Sequence, residues 1–146
     1  MLASGSAAPN FAATDASGHA LQLSDTRGHP SVVYFYPKDE TPGCTTEACA
    51  FRDAWNQLEK AHVTVFGVSR DSLESHSLFR EKFKLPFPLA ADTDGSISRA
   101  YGVPSTLGMS ARVTFLVDAE GRIAKVYPSV DPAVHVSELL ADVAKL

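Results

Sequence analysis

Apolar residues fall along this chain in short blocks, and the period inside each block says which element it builds. Val32-Val33-Tyr34-Phe35-Tyr36 is unbroken, β-branched and aromatic, as in a strand buried on both faces. After it, Ala48, Phe51, Trp55 and Leu58 recur by three, four and three, one face of a helix over about 43–60. Val63 to Val68 repeats the strand pattern. Leu73, His76, Leu78, Phe79 and Phe83 then read as the inner side of a helix that the polar residues 69–72 can cap and Pro86 and Pro88 stop. Leu89-Ala90-Ala91 suits a short strand, and the turn at 92–95 leads to a short helix ending near Tyr101-Gly102. Residues 103–111 read as loop. Residues 112–117 and 122–127 flank Asp118-Ala119-Glu120-Gly121, the strongest hairpin signal in the chain. Asp131-Pro132 opens a last helix with Val134, Val136, Leu139, Leu140 and Val143 on its apolar face. Upstream, Phe11 to Leu23 forms a weaker hairpin around the turn cluster at 15–18.

The order ββ-βα-βα-(β)α-ββ-α alternates strands with helices, which implies parallel central strands, and the late hairpin adds antiparallel ones. The expected fold is α/β: a thioredoxin-like mixed central sheet flanked by helices, with an N-terminal β-hairpin extension, in a single domain over 1–146. With 146 residues the chain can bury a substantial core. Its net charge of −4 argues against a nucleic-acid surface. No apolar run approaches the roughly 20 residues of a membrane span. The N-terminus lacks the basic and apolar stretches of a signal peptide. A cytoplasmic protein with no membrane or nucleic-acid partner is expected.

The chain has two cysteines, Cys44 and Cys49. In a reducing compartment such a close pair points to redox catalysis or metal binding. Zinc would need about four ligands, and no Cys-x-x-Cys or clustered histidine completes a set, so neither metal nor cofactor is expected. Thr41-Pro42 is a helix-start signal, which puts Cys44 in the first turn. Unpaired N–H groups and the positive end of the helix dipole there favour a thiolate. Five helical steps rise about 7.5 Å and separate the two Cα atoms by roughly 8–9 Å. A disulfide needs them within about 7 Å, so the helix must open locally before the cysteines bond. A thiolate attacking a peroxide becomes a sulfenic acid that a second thiol condenses with. Cys44 suits the attacking role and Cys49 the resolving one. The plainer alternative makes both small buried core residues.

Pro37-Lys38-Asp39-Glu40-Thr41-Pro42-Gly43-Cys44 matches the Pro-x-x-x-Thr/Ser-x-x-Cys signature of peroxiredoxins. Residues 41–49 resemble the bacterioferritin comigratory protein (peroxiredoxin Q) branch, whose resolving cysteine lies five residues on. Arg112 to Gly121 resembles that branch's arginine-bearing strand and turn. The resemblance covers nearly the whole chain. It implies a thiol peroxidase acting on hydrogen peroxide and organic hydroperoxides, reduced by thioredoxin or a similar dithiol, and a monomer. It makes Cys44 peroxidatic and Cys49 resolving, has the Thr41 hydroxyl bond thiolate and peroxide, has Pro37 shield the pocket, and has Arg112 stabilise the developing charge. The 102–111 segment departs from the pattern: it is shorter than in many relatives and lacks their tryptophan. Glu47 is expected to be an exposed helix residue, the five histidines to occupy loops and helix surfaces, and Trp55 to pack in the core. A protein thiol-disulfide oxidoreductase and a non-enzymatic binding domain are the competing readings.

Overall fold

The computed structural model describes residues 1–15 and 17–146. Its elements are β1 (Ala12–Thr14), β2 (Ala20–Gln22), a short 3-10 turn, β3 (Ser31–Phe35), α1 (Pro42–Asp53), α2 (Trp55–Lys60), β4 (Thr64–Ser69), α3 (Leu73–Phe83), β5 (Leu89–Ala91), α4 (Ser96–Tyr101), β6 (Ser105–Thr106), β7 (Met109–Ser110), β8 (Val113–Val117), β9 (Ile123–Tyr127) and α5 (His135–Val143). Seven strands form one sheet in the order β2-β1-β5-β4-β3-β8-β9. β3, β4 and β5 run parallel, while β1, β2, β8 and β9 pair antiparallel. This is the mixed sheet of a thioredoxin-like fold, with β1 and β2 as the N-terminal hairpin. Part of that hairpin's turn, Ala16, lies outside the described residues.

Alternation along β3 divides the core. Val32 and Tyr34 face one side of the sheet, where Ala48 and Phe51 of α1, Leu58 of α2, Phe79 of α3 and Leu139 of α5 cover them. Val33 and Phe35 face the other, beneath Tyr101 of α4 and the Phe11 segment. A strand covered on both faces must be apolar at every position, which explains the unbroken run.

Four local expectations change. The helix over 43–60 divides at Ala54, whose backbone leaves helical geometry (φ −92°, ψ 8°). Leu78 is exposed because it lies about 200° round α3 from the buried His76. Leu73, in the first turn of α3, and Val134, just before α5 begins, are exposed too. Residues 103–111 contain a small hairpin, β6–β7, in which Leu107 (φ 53°) and Gly108 (φ 74°) make a two-residue turn. Among the described residues no helix is long and apolar enough to cross a membrane.

A buried thiol at the head of α1

The parallel strands β3 and β4 end on the same side of the sheet, and the chain leaves β3 through 36–41 to start α1 there. Thr41 is the N-cap, with extended backbone (φ −75°, ψ 154°), and Pro42 takes the first helical position. The Thr41 hydroxyl does not cap the helix; it donates to the Lys38 carbonyl at 2.7 Å. A hydroxyl oxygen that donates once keeps lone pairs for a further donor. Pro37 is half-buried in the same loop. Cys44 follows in the first turn with 1% of its surface exposed. Cys49 lies in the same helix, partly exposed, and both are free thiols.

The sheet supplies the remaining charge. Phe35 of β3 pairs with Val113 of β8, so Arg112 starts opposite the end of β3. Its guanidinium reaches over α1, with one nitrogen 3.3 Å from Cys44 Sγ and the other 2.8 Å from Glu47 Oε1. Gly43 makes room: a Cβ there would lie 3.0 Å from the guanidinium. Burial alone would lower the Arg112 pKa, but Cys44 and Glu47 together outweigh it and leave it raised. The guanidinium is therefore a fixed cation beside the sulfur.

Glu47 is fully buried, a correction to the expected exposed position. Burial raises its carboxyl from 4.5 to about 7, against the opposing pull of Arg112. Its second oxygen has no hydrogen-bond partner among the described residues. The carboxyl holds Arg112 from one side while leaving the other nitrogen for sulfur. Glu47 stands three residues after Cys44, on the same helix face, and that spacing was the available signal.

Two histidines also depart from their expected surface roles, since His76 and His135 are each 1% exposed. His135 packs edge-on against Tyr127 with no hydrogen bond to its ring nitrogens among the described residues; Nδ1 stands 3.8 Å from Glu138 Oε1, and burial lowers its pKa against that carboxylate's pull. It is a neutral packing residue. His76, on α3, hydrogen-bonds Asp39 of the loop that precedes Cys44. Trp55 is partly buried against the α-helical side of the core, beside Phe87.

The AhpC/TSA family description matches residues 4–126. A Coxiella burnetii protein named for the peroxiredoxin bcp is 45% identical, covering 93% of this chain and 95% of its own. The rice (japonica) chloroplastic peroxiredoxin Q is 44% identical over 95% of this chain, which spans 65% of that longer protein. The solved structure of peroxidoxin BcpB from Mycobacterium tuberculosis superposes with a TM-score of 0.91 at 29% identity, covering 100% of this chain and 99% of that one. On sequence and fold together, the chain belongs to the AhpC/TSA family, among the peroxiredoxins of the bacterioferritin comigratory protein and peroxiredoxin Q type.

Proposed function

We propose that this protein is a thiol peroxidase of the two-cysteine kind, reducing hydrogen peroxide and organic hydroperoxides through Cys44. The observation that carries the reading is the Arg112 nitrogen 3.3 Å from a sulfur at a helix head, with only 1% of Cys44 exposed. The Cys44 thiolate attacks the terminal oxygen of ROOH. An S–O bond forms, the O–O bond breaks, and its electron pair leaves on RO⁻, which takes a proton to become ROH. Cys44 is left as a sulfenic acid. Arg112, fixed before the reaction, stabilises the charge as it moves from sulfur to the leaving oxygen. The Thr41 hydroxyl orients the peroxide, and Pro37 keeps water from the reacting atoms.

Cys49 then attacks the sulfenic sulfur, forming the 44–49 disulfide and releasing water. Both thiols lie in α1, so its first turns open for this step. A dithiol reductant of the thioredoxin type restores both thiols. Sulfur carries the whole redox change, and the reading calls for no metal, flavin or haem. The deep burial of Cys44 favours a small peroxide over a protein disulfide as the oxidant, which separates this function from that of a protein thiol-disulfide oxidoreductase. The same reading has one domain acting as a monomer in the cytoplasm, without nucleic-acid or membrane partners.

The test couples peroxide consumption to NADPH through thioredoxin reductase and thioredoxin. Cys44→Ser is expected to abolish turnover, and Cys49→Ser to allow one oxidation of Cys44 that mass mapping places on that residue. Full turnover by Cys44→Ser would overturn the assignment.

A further inference from the structure

The loop from Pro37 to Thr41 holds a strained residue. Glu40 has φ 62°, a left-handed backbone that non-glycine residues adopt at a cost, and it directly precedes the N-cap of α1. Such a conformation persists only where neighbouring contacts over-determine it. Those contacts converge on Asp39, which is buried although it sits in a loop flanked by the exposed Lys38 and Glu40.

Four groups hold Asp39. The Tyr36 hydroxyl donates to Oδ1 at 2.6 Å, and the Ser75 hydroxyl donates to Oδ2 at 2.8 Å. Its own backbone N–H donates to Asp71 Oδ2 at 2.9 Å. The fourth is His76 of α3, with Nδ1 2.7 Å from Oδ2. On its other side His76 Nε2 lies 3.1 Å from the carbonyl of Ala90 in β5; carbonyl and carboxylate oxygens only accept, so both ring nitrogens donate, Nε2–H to Ala90 and Nδ1–H to Asp39. The imidazole thus spans from the sheet to the loop. Desolvation by burial, reinforced by Tyr34 and Asp39, pushes the Tyr36 phenol well above its ordinary range, so it remains a donor.

Asp39, Asp71 and His76 also offer oxygen and nitrogen atoms within 4.8 Å of one another, as a cation site would. The close His76–Asp39 contact is instead the length of a hydrogen bond, and the Ser69 hydroxyl and the Asp39 N–H already occupy Asp71 Oδ2. The cluster is a clasp between protein groups.

We infer that His76 is a positioning residue for the Cys44 reaction: by bridging the Asp39 carboxylate to the Ala90 carbonyl, it holds the 37–41 loop in the strained shape that sets Thr41 and Pro37 at the head of α1. The inference rests on the thiol-peroxidase reading and adds a residue to it. His76 touches neither sulfur nor peroxide in this scheme. Its effect falls on alignment, and misplacing a reacting group by about 1 Å can cost roughly a hundredfold in rate.

The test compares two reactions of the same thiol in the full-length reduced protein. Oxidation by hydrogen peroxide needs the aligned loop; alkylation by iodoacetamide needs only an accessible, ionised sulfur. His76→Leu is expected to slow oxidation by about tenfold to a hundredfold while alkylation of Cys44, read by mass mapping, is not slowed. Hydrogen exchange at the Glu40 and Thr41 amides should quicken in the same variant. His76→Asn, whose amide can still donate to Asp39, should recover much of the oxidation rate. Asp39→Asn combined with His76→Asn should be no slower than the slower single variant. The inference is overturned if oxidation is unchanged, or if oxidation and alkylation fall together in step with the folded fraction. Should His76→Leu not fold, Asp39→Asn decides by the same ratio of rates. A wild-type protein that peroxide does not oxidise at Cys44 overturns the functional reading itself, a result distinct from wild-type oxidation that the variants share.

Discussion

Arg112 and Cys44 stand 68 residues apart in sequence and 3.3 Å apart in space. Sheet register makes this possible, and Glu47 fixes the reach by binding the guanidinium's other nitrogen. The arrangement separates charge from shape. A lysine at 112 could supply the charge, but its donors radiate from a single nitrogen and lack the planar fork whose two nitrogens reach carboxylate and sulfur separately. Arg112→Lys should therefore lower the rate of Cys44 oxidation by hydrogen peroxide about a hundredfold, the scale for losing one preorganised donor to a developing anion. Stopped-flow oxidation of the reduced protein measures it. A lysine variant within a factor of two of wild type would show that charge alone suffices.

Glu47 links this site to stability. Its carboxyl titrates at about 7 in the folded protein against an ordinary 4.5, so the folded state holds the proton more tightly than the unfolded chain. The stability this confers is fully present below pH 4.5 and is lost as pH rises through about 7, a loss on the order of 3 kcal/mol. Glu47→Gln cannot ionise and should flatten the profile. Between pH 4.5 and 8, wild-type stability should fall relative to the variant, as read from urea unfolding at several pH values. Parallel profiles would mean that Glu47 is ionised throughout.

The elements were legible in the sequence wherever burial imposes a period, as in the unbroken run of β3 and the three-four spacing that runs through α1 and α2. Cys44 was legible for a local reason, since Thr41-Pro42 marks the helix start beside it. Glu47 was obscured by its chemistry: its position follows from facing the same way as Cys44, but a carboxylate normally avoids full burial unless a partner comes with it. That partner arrives from β8, and no local pattern announces it. Asp39 and His76, 37 residues apart, are hidden for the same reason. The β6–β7 turn escaped because Leu107 occupies a left-handed position where Asn or Gly is the usual signal.

Phe51 ties the reactive helix to the sheet. It is fully buried, stacked on Tyr34 with ring centroids 4.7 Å apart, and lies edge-on to Phe87. Phe51→Ala should remove about 3–5 kcal/mol of stability, the range for truncating a buried aromatic. Denaturant unfolding gives the value. A loss below about 1 kcal/mol would mean that neighbouring side chains collapse into the space.

If α1 must open before Cys44 and Cys49 can bond, its intrinsic helicity should govern disulfide closure and not peroxide attack. Thr46 lies between them, exposed, its hydroxyl donating to the Pro42 carbonyl one turn back at 3.0 Å. Thr46→Ala raises helix propensity at that point and Thr46→Gly lowers it, the two differing by about 1 kcal/mol, or roughly fivefold in an opening equilibrium. After a single equivalent of hydrogen peroxide, the first-order phase that forms the disulfide should be slower in the alanine variant than in the glycine variant by about that factor. The preceding bimolecular phase should match between them, because helix start, Arg112 and loop are unaltered. Equal closure rates would place the slow event in the sulfur chemistry, and a change confined to the bimolecular phase would mean that α1 already has its bonding geometry when peroxide arrives.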